Sequence, residues 1–255
     1  MGSLFDISGK VAVIIGSSGG LGQVISRGLA AAQVKVVLAS RNQSANEQLV
    51  NEIVEAGGEA FACQVDITEL KELEALKDTV LDWYGDVDFL INCAGMTIKK
   101  PLIEVNTDEW EKVQLVNLQG VFLSCQVFSR VMIANKKGRI INFASLGSFV
   151  GIKTSAPYCA AKGGVLQLTK VLAMELAPYG INVNAVTPGV LDTPLASGIK
   201  GNQEAYQRLM NRLPLGRLGK AEEIIGPVLF LCSPAADYIT GISLPVDGGF
   251  LASGI

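Results

Sequence analysis

Tyr158 and Lys162 stand four residues apart in Tyr158-Cys-Ala-Ala-Lys162, on a stretch whose pattern predicts a helix start. That spacing projects both side chains from one helix face, within reach of each other. A phenol with a reference pKa of about 10 is a poor base at neutral pH unless a nearby cation favours the phenolate. Lys162 is such a cation. The same pair also arises by chance in many chains and then does nothing.

The 255 residues include no histidine, and that absence removes whole reaction classes. There is no Ser-His-Asp or Cys-His nucleophile pair and no His-ligated metal. Acid–base work falls to Asp, Glu, Lys, Tyr or a terminus, and no metal site is expected. With 21 basic and 24 acidic side chains and a net charge of −3, the chain lacks a footprint for nucleic acid. The longest charge-free stretch, Val113 to Ser129, spans 17 residues and carries Gln114, Asn117, Gln119, Ser124 and Gln126. It is too polar and too short for a bilayer, so no membrane partner is expected. Asp6 and Lys10 interrupt any apolar leader. Five widely spaced cysteines fit reduced thiols. A cytoplasmic protein is the expectation.

These residues need elements to position them. Apolar runs at Val11–Ile15, Val34–Ala39, Ala60–Val65, Val87–Asn92, Arg139–Ala144, Asn182–Thr187 and Ile242–Val246 predict strands. Between them, Leu21–Ala32, Ser44–Ala56, Glu69–Tyr84, Asp108–Ala134, Pro157–Ala177 and Ala221–Leu231 predict helices. The alternation never breaks. It predicts one α/β domain over residues 1–255, a doubly wound parallel sheet with helices on both faces. Pro188 to Lys220 is the irregular stretch, rich in proline and glycine, and it reads as a lid.

After the first strand comes Gly16-Ser-Ser18-Gly19-Gly20-Leu21-Gly22. Gly16-x-Ser18-x-Gly20 matches a nucleophile elbow, but that device needs the histidine this chain lacks. The remaining functional reading is a dinucleotide turn, with backbone N–H groups approaching a pyrophosphate on the helix N-terminus. The spacing G-x-x-x-G-x-G departs from the G-x-G-x-x-G fingerprint, and a plain tight turn is the competing reading. An acid at the end of the second strand would grip the ribose of NAD. Ser40-Arg41 stands there instead, and arginine can bind a 2′-phosphate bidentately. NADP(H) is therefore expected over NAD(H).

Gly16-x-x-x-Gly20-x-Gly22, Asn92-Cys-Ala94-Gly95, Asn117 in Val-Asn-Leu-Gln-Gly, Ser145 thirteen residues before Tyr158, Tyr158-x-x-x-Lys162 and Pro188-Gly189 occur in that order. Together they resemble the short-chain dehydrogenase/reductase family over nearly the whole chain. The resemblance implies a Rossmann-type fold and NAD(P)-dependent hydride transfer to or from a carbonyl carbon. It implies that Tyr158 is the general acid/base and that Lys162 lowers its pKa while bonding the nicotinamide ribose. Ser145 would orient the substrate oxygen, and Asn117 would hold a relay water. Cofactor contacts would come from Gly16, Ser18, Gly20, Leu21 and Gly22, then Ser40, Arg41, Asp66 and Ile67. Asn92, Ala94, Gly95, Tyr158, Lys162, Pro188, Gly189, Leu191 and Thr193 would complete them. Ile15 replaces a usual Thr, and Cys93 replaces a usual Asn. Cys159 reads as packing.

Met96 to Lys100 and Asp108 to Trp110 most resemble the gluconate- and sugar-acid-type members, where a lysine could meet a carboxylate. Lys99 and Lys100 as plain surface charges are the competing reading. A 3-oxoacyl-thioester reductase is the alternative, and a non-catalytic NADP-binding sensor or scaffold is a third. Pro245 to Leu251, ending in the apolar Phe250-Leu251, resembles a segment that packs across a tetramer interface, so a homotetramer is expected.

Overall fold

Each apolar run of the sequence is a parallel strand in a computed structural model, which describes residues 4–193, 201 and 203–253. Along the chain the strands are β1 (Val11–Ile15), β2 (Lys35–Ser40), β3 (Ala60–Gln64), β4 (Phe89–Asn92), β5 (Gly138–Phe143) and β6 (Ile181–Pro188). The two-residue β7 (Leu191–Asp192) and β8 (Gly219–Lys220) precede β9 (Ser243–Val246). The main sheet is ordered β3-β2-β1-β4-β5-β6-β9. The chain thus folds as one Rossmann-type domain.

Alternation along β1 sorts the core into two layers. Val11, Val13 and Ile15 face helices α3 (Leu70–Tyr84), α5 (Gly120–Asn135) and α6 (Ala156–Leu176). Ala12 and Ile14 face α1 (Gly20–Ala31), α2 (Gln43–Glu55) and α8 (Ile225–Cys232). Covered on both sides, β1 is buried at all five positions, as a central parallel strand must be.

The single helix expected over Asp108–Ala134 is α4 (Thr107–Gln114), a π turn over Leu115–Gln119, and α5. It runs 29 residues from Thr107 to Asn135. That corrects the argument from the 17-residue charge-free stretch, because this helix is long and apolar enough to cross a membrane. In the fold, however, 56% of its apolar window is buried inside the protein, as in a core helix.

The predicted lid leaves the sheet after β6. Parallel pairing of β7 with β8 closes its base, and α7 (Gln203–Arg212) lies within it. Residues 194–200 and 202 of that stretch lie outside the described residues. The C-terminal segment differs from expectation. Phe250 is buried in its own chain with Leu146 and Leu213, and Arg212 stacks over its ring at 4.3 Å. This tail needs no partner to hide it.

Candidate active site

Because every strand of the main sheet is parallel, the segments that follow β1, β2, β3, β4, β5 and β6 leave the sheet at one edge. They carry the glycine turn, Ser40-Arg41, Asp66-Ile67, Asn92 to Gly95, Ser145 and Pro188-Gly189. Ligands of open α/β sheets bind at this edge.

The glycine turn is shaped for close approach. Gly16 has φ +88°, and a Cβ there would meet the Ala94 nitrogen at 2.5 Å. A Cβ on Gly22 would lie 2.1 Å from the Gly16 carbonyl oxygen. Gly19 then caps α1 with no side chain over the helix N-terminus. Such a cradle suits a pyrophosphate, so the residues present fit a dinucleotide. Ser18 and Leu21 sit half-buried on the turn. Gly189 likewise admits no side chain, since a Cβ would meet Asp247 Cα at 2.6 Å.

Tyr158 lies in the first turn of α6, where Pro157 fits the helix start. Its phenol oxygen hydrogen-bonds the Ser145 hydroxyl. Ser145 Oγ accepts from Gly147 N at 3.1 Å, which fixes it at the end of β5. Lys162, one turn on, is buried. Its Nζ donates to the Phe143 carbonyl at 2.7 Å and lies 6.0 Å from the Tyr158 ring centroid. The expected lowering of the Tyr158 pKa is reversed in this geometry. Burial pushes the phenol above its ordinary value, against the hydrogen bond from Ser145. Burial also pulls the Lys162 ammonium down to about 8.

Asn117 sits in the π turn, fully buried. Its Nδ2 donates to Met96 O and Val113 O, both at 2.9 Å, and its Oδ1 accepts from Met96 N at 3.1 Å. The amide clamps the loop after Gly95. Its donors are therefore already used, and only an Oδ1 lone pair and the backbone remain for a water. A Cβ on Gly95 would lie 2.8 Å from that Oδ1 and 3.7 Å from Lys162 Nζ, so these three residues converge.

Other expected contacts have side chains turned elsewhere. Asn92 donates to Asn142 Oδ1 at 2.9 Å and accepts from Ser124 Oγ at 2.8 Å; its side chain belongs to a buried network. Ile67 packs on Gly120, and Leu191 packs in the core. Thr193 follows β7, half-buried. Asp66 accepts from Thr68 N at 2.9 Å and lies 4.0 Å from the Arg41 guanidinium. The two departures from the family pattern touch each other, with Cys93 Sγ donating to Ile15 O at 3.1 Å. Burial pushes that thiol up to about 12, which makes it inert. Cys159 Sγ would lie 3.1 Å from a Cβ on Gly147, in line with packing.

Sequence reasoning missed Asn46. It lies fully buried on α2 between the glycine turn and the end of β2. Its spacing with the buried Leu49 and Ile53 was the available signal, a polar residue in an apolar stripe.

A family model of short-chain dehydrogenases, described as enoyl-(acyl carrier protein) reductase, matches residues 15–251. The chain belongs to the short-chain dehydrogenase/reductase family. It is 38% identical over 247 residues to a 3-oxoacyl-[acyl-carrier-protein] reductase of Synechocystis, covering 96% of this chain and 98% of that one. It is 34% identical to 2-dehydro-3-deoxy-D-gluconate 5-dehydrogenase of Escherichia coli, covering 98% of each. Among solved structures, a gluconate 5-dehydrogenase of Burkholderia cenocepacia, in complex with NADP and tartrate, superposes with a TM-score of 0.95. That short-chain dehydrogenase is 36% identical, and the match covers 98% of each chain.

Proposed function

We propose that this short-chain dehydrogenase/reductase interconverts a secondary alcohol and a ketone with NADP(H), acting on a sugar acid or polyol. The observation that carries the reaction class is the convergence of Ser145, Tyr158, Lys162 and Asn117 beside a glycine cradle that excludes Cβ atoms. When bound, the nicotinamide supplies or accepts the hydride. Tyr158 takes the hydroxyl proton during oxidation and returns it to the carbonyl oxygen during reduction. Ser145 holds that oxygen, Lys162 fixes the nicotinamide ribose, and Asn117 shapes the loop beside it. The remaining cofactor contacts are those named from the sequence, with Asn92, Ile67 and Leu191 acting through backbone. Residues 188–220 serve as the lid over the substrate.

The sugar-acid reading draws support from the rim of the site. A backbone hydrogen bond of 2.9 Å from Lys100 N to Thr154 O joins the loop that carries Lys99 to the loop that carries Lys153. Both loops lead out of the site, one from Gly95 and one from Ser145. Lys100 pairs with Glu109, which leaves Lys99 as the candidate carboxylate contact of its loop. The likeness to the Synechocystis protein keeps 3-oxoacyl-thioester reduction as the second reading. A screen following nicotinamide absorbance, with gluconate-type acids, polyols and a 3-oxoacyl thioester, tests both. The highest kcat/KM is expected on a sugar acid, and a thioester preferred by tenfold would reverse the order. No turnover on any carbonyl or alcohol would leave a non-catalytic binder.

Cofactor choice follows from Arg41, whose side chain is largely exposed at the end of β2. Arg41→Asp is expected to turn the preference from NADP toward NAD, through repulsion and a lost bidentate contact. A wild-type enzyme that already prefers NAD in kinetic comparison would refute this.

The assembly we propose is a homotetramer. The support comes from exposed Trp110, Phe122, Val171 and Met174 on the long helix and α6, an apolar surface that a partner would cover. Sedimentation at micromolar concentration should give four copies, and a stable monomer would exclude it. Five free thiols suit a reducing, cytoplasmic setting.

A further inference from the structure

Arg41 is held by very little of its own. Its side chain is 67% exposed, and the one ion pair it makes among the described residues, with Asp66, spans 4.0 Å. An arginine so loosely packed reads a phosphate only if its backbone is aimed for it. That aim comes from Gln64, whose Nε2 donates to the Arg41 carbonyl at 3.2 Å, and from the hydroxyl before it. Ser40 Oγ accepts from Asn42 N at 3.3 Å, so Arg41 is bracketed between the two residues. Asn42 then caps α2 by accepting from Ala45 N at 3.1 Å.

The hydroxyl that closes this bracket is itself fixed by Asn46. Ser40 Oγ donates to Asn46 Oδ1 at 3.0 Å. Ser17 Oγ, on the glycine turn, donates to the same oxygen at 2.8 Å. The amide nitrogen donates to Leu38 O at 3.2 Å and to Cys63 O at 3.5 Å. Because both nitrogen-side partners are carbonyls, the amide cannot be flipped, and its oxygen must serve the two serines. A fully buried side chain thus ties β2, β3, the pyrophosphate turn and the arginine bracket together.

We propose that Asn46 is a positioning residue for cofactor selection, holding the Ser40-Arg41-Asn42 bracket in register with the glycine turn. This rests on the NADP(H) reading above. The two serine bonds divide the labour. Ser17 carries the part common to both cofactors, since each has a pyrophosphate. Ser40 carries the part specific to the 2′-phosphate, which only NADP(H) has. Without the amide oxygen the Ser40 hydroxyl is free to turn to Asn42 O, now 3.5 Å away, which pulls the bracket out of register with the glycine turn.

The test is equilibrium binding, read by fluorescence titration of NADPH and NADH on the purified full-length protein. Asn46→Leu keeps the volume and removes all four bonds. It is expected to raise the NADPH Kd about fivefold to tenfold more than the NADH Kd. In an Arg41→Gln background the same substitution should weaken both cofactors equally, because the arginine it aims is gone. Ser17→Ala should weaken both alike. Ser40→Ala should weaken NADPH selectively and only when Arg41 is present, and it decides the matter should Asn46→Leu not fold. A preference in affinity for NADPH over NADH that Asn46→Leu and Ser40→Ala leave unchanged or increase, or lower equally with and without Arg41, would overturn the role of Asn46. A wild-type protein that binds NADH more tightly than NADPH would instead overturn the cofactor reading, and the proposal with it.

Discussion

Replacing Tyr158 by phenylalanine is expected to lower turnover by about a hundredfold or more, while NADPH binding persists. The ring that packs at the start of α6 is kept, and only the proton carrier is lost. Oxidation needs the phenolate and reduction the phenol, so the two directions should respond oppositely to pH in the wild type. Burial raises the phenol's pKa in this site, so the lowering that oxidation requires must come from positive charge, that of Lys162 beside the ring and that of an oxidised nicotinamide when one is bound. Two groups then compete for any rate limb in the neutral range of a chain without histidine, Tyr158 and the Lys162 ammonium at about 8. The phenylalanine variant separates them. A limb that disappears with the hydroxyl belongs to Tyr158, and one that persists in the residual activity belongs to Lys162. Near-wild-type turnover by the variant would remove Tyr158 from the mechanism.

Lys162→Met should cost activity on the same scale while making the fold more stable at pH 7. The folded-state pKa of about 8 lies below the ordinary 10.5, so the native state binds fewer protons than the unfolded chain between those values. Stability therefore rises with pH across about 8 to 10.5, and below about 8 the whole penalty of the buried charge is present. The penalty has an upper bound of about 3 kcal/mol. The hydrogen bond to Phe143 O returns about 1 kcal/mol. Methionine removes both, so a gain of about 1–2 kcal/mol is expected at pH 7, shrinking as the pH is raised toward 10.5. Urea unfolding at pH 7 and pH 10 measures it. A variant less stable at pH 7, or a difference that ignores pH, would contradict the assignment of a strained, buried cation.

Much of this architecture was legible because its signals are local. All seven runs of the main sheet were readable from Val, Ile, Leu and Ala clusters between turn residues, and their ends moved by only a residue or two. The Tyr158–Lys162 spacing needs nothing beyond helical geometry. What stayed hidden depends on direction rather than position. Asn92 falls in a cofactor-loop motif, but its register partner across β4 and β5 is Asn142, which accepts from its amide nitrogen while Ser124 donates to its oxygen. The π turn at Leu115–Gln119 leaves no mark on composition, because its residues are as apolar as those of the helix around it. Asn46 was masked by Ser44, Glu47 and Gln48, polar neighbours that point outward on the same helix. Phe250 looked like an exposed tail because the Leu213 that covers it belongs to the far side of the irregular stretch.

The burial of β1 between β2 and β4 carries a consequence for biosynthesis. Ala12 pairs with Phe89, and the contact from Val11 to Asp88 closes a separation of 77 residues. At ribosomal speeds of roughly 5–20 residues per second, β4 emerges about 4–15 s after β1. For that interval Val-Ala-Val-Ile-Ile, uncharged and strongly β-forming, has an unpaired edge. Chaperone capture of the nascent chain should concentrate there and end once residue 92 has left the exit tunnel.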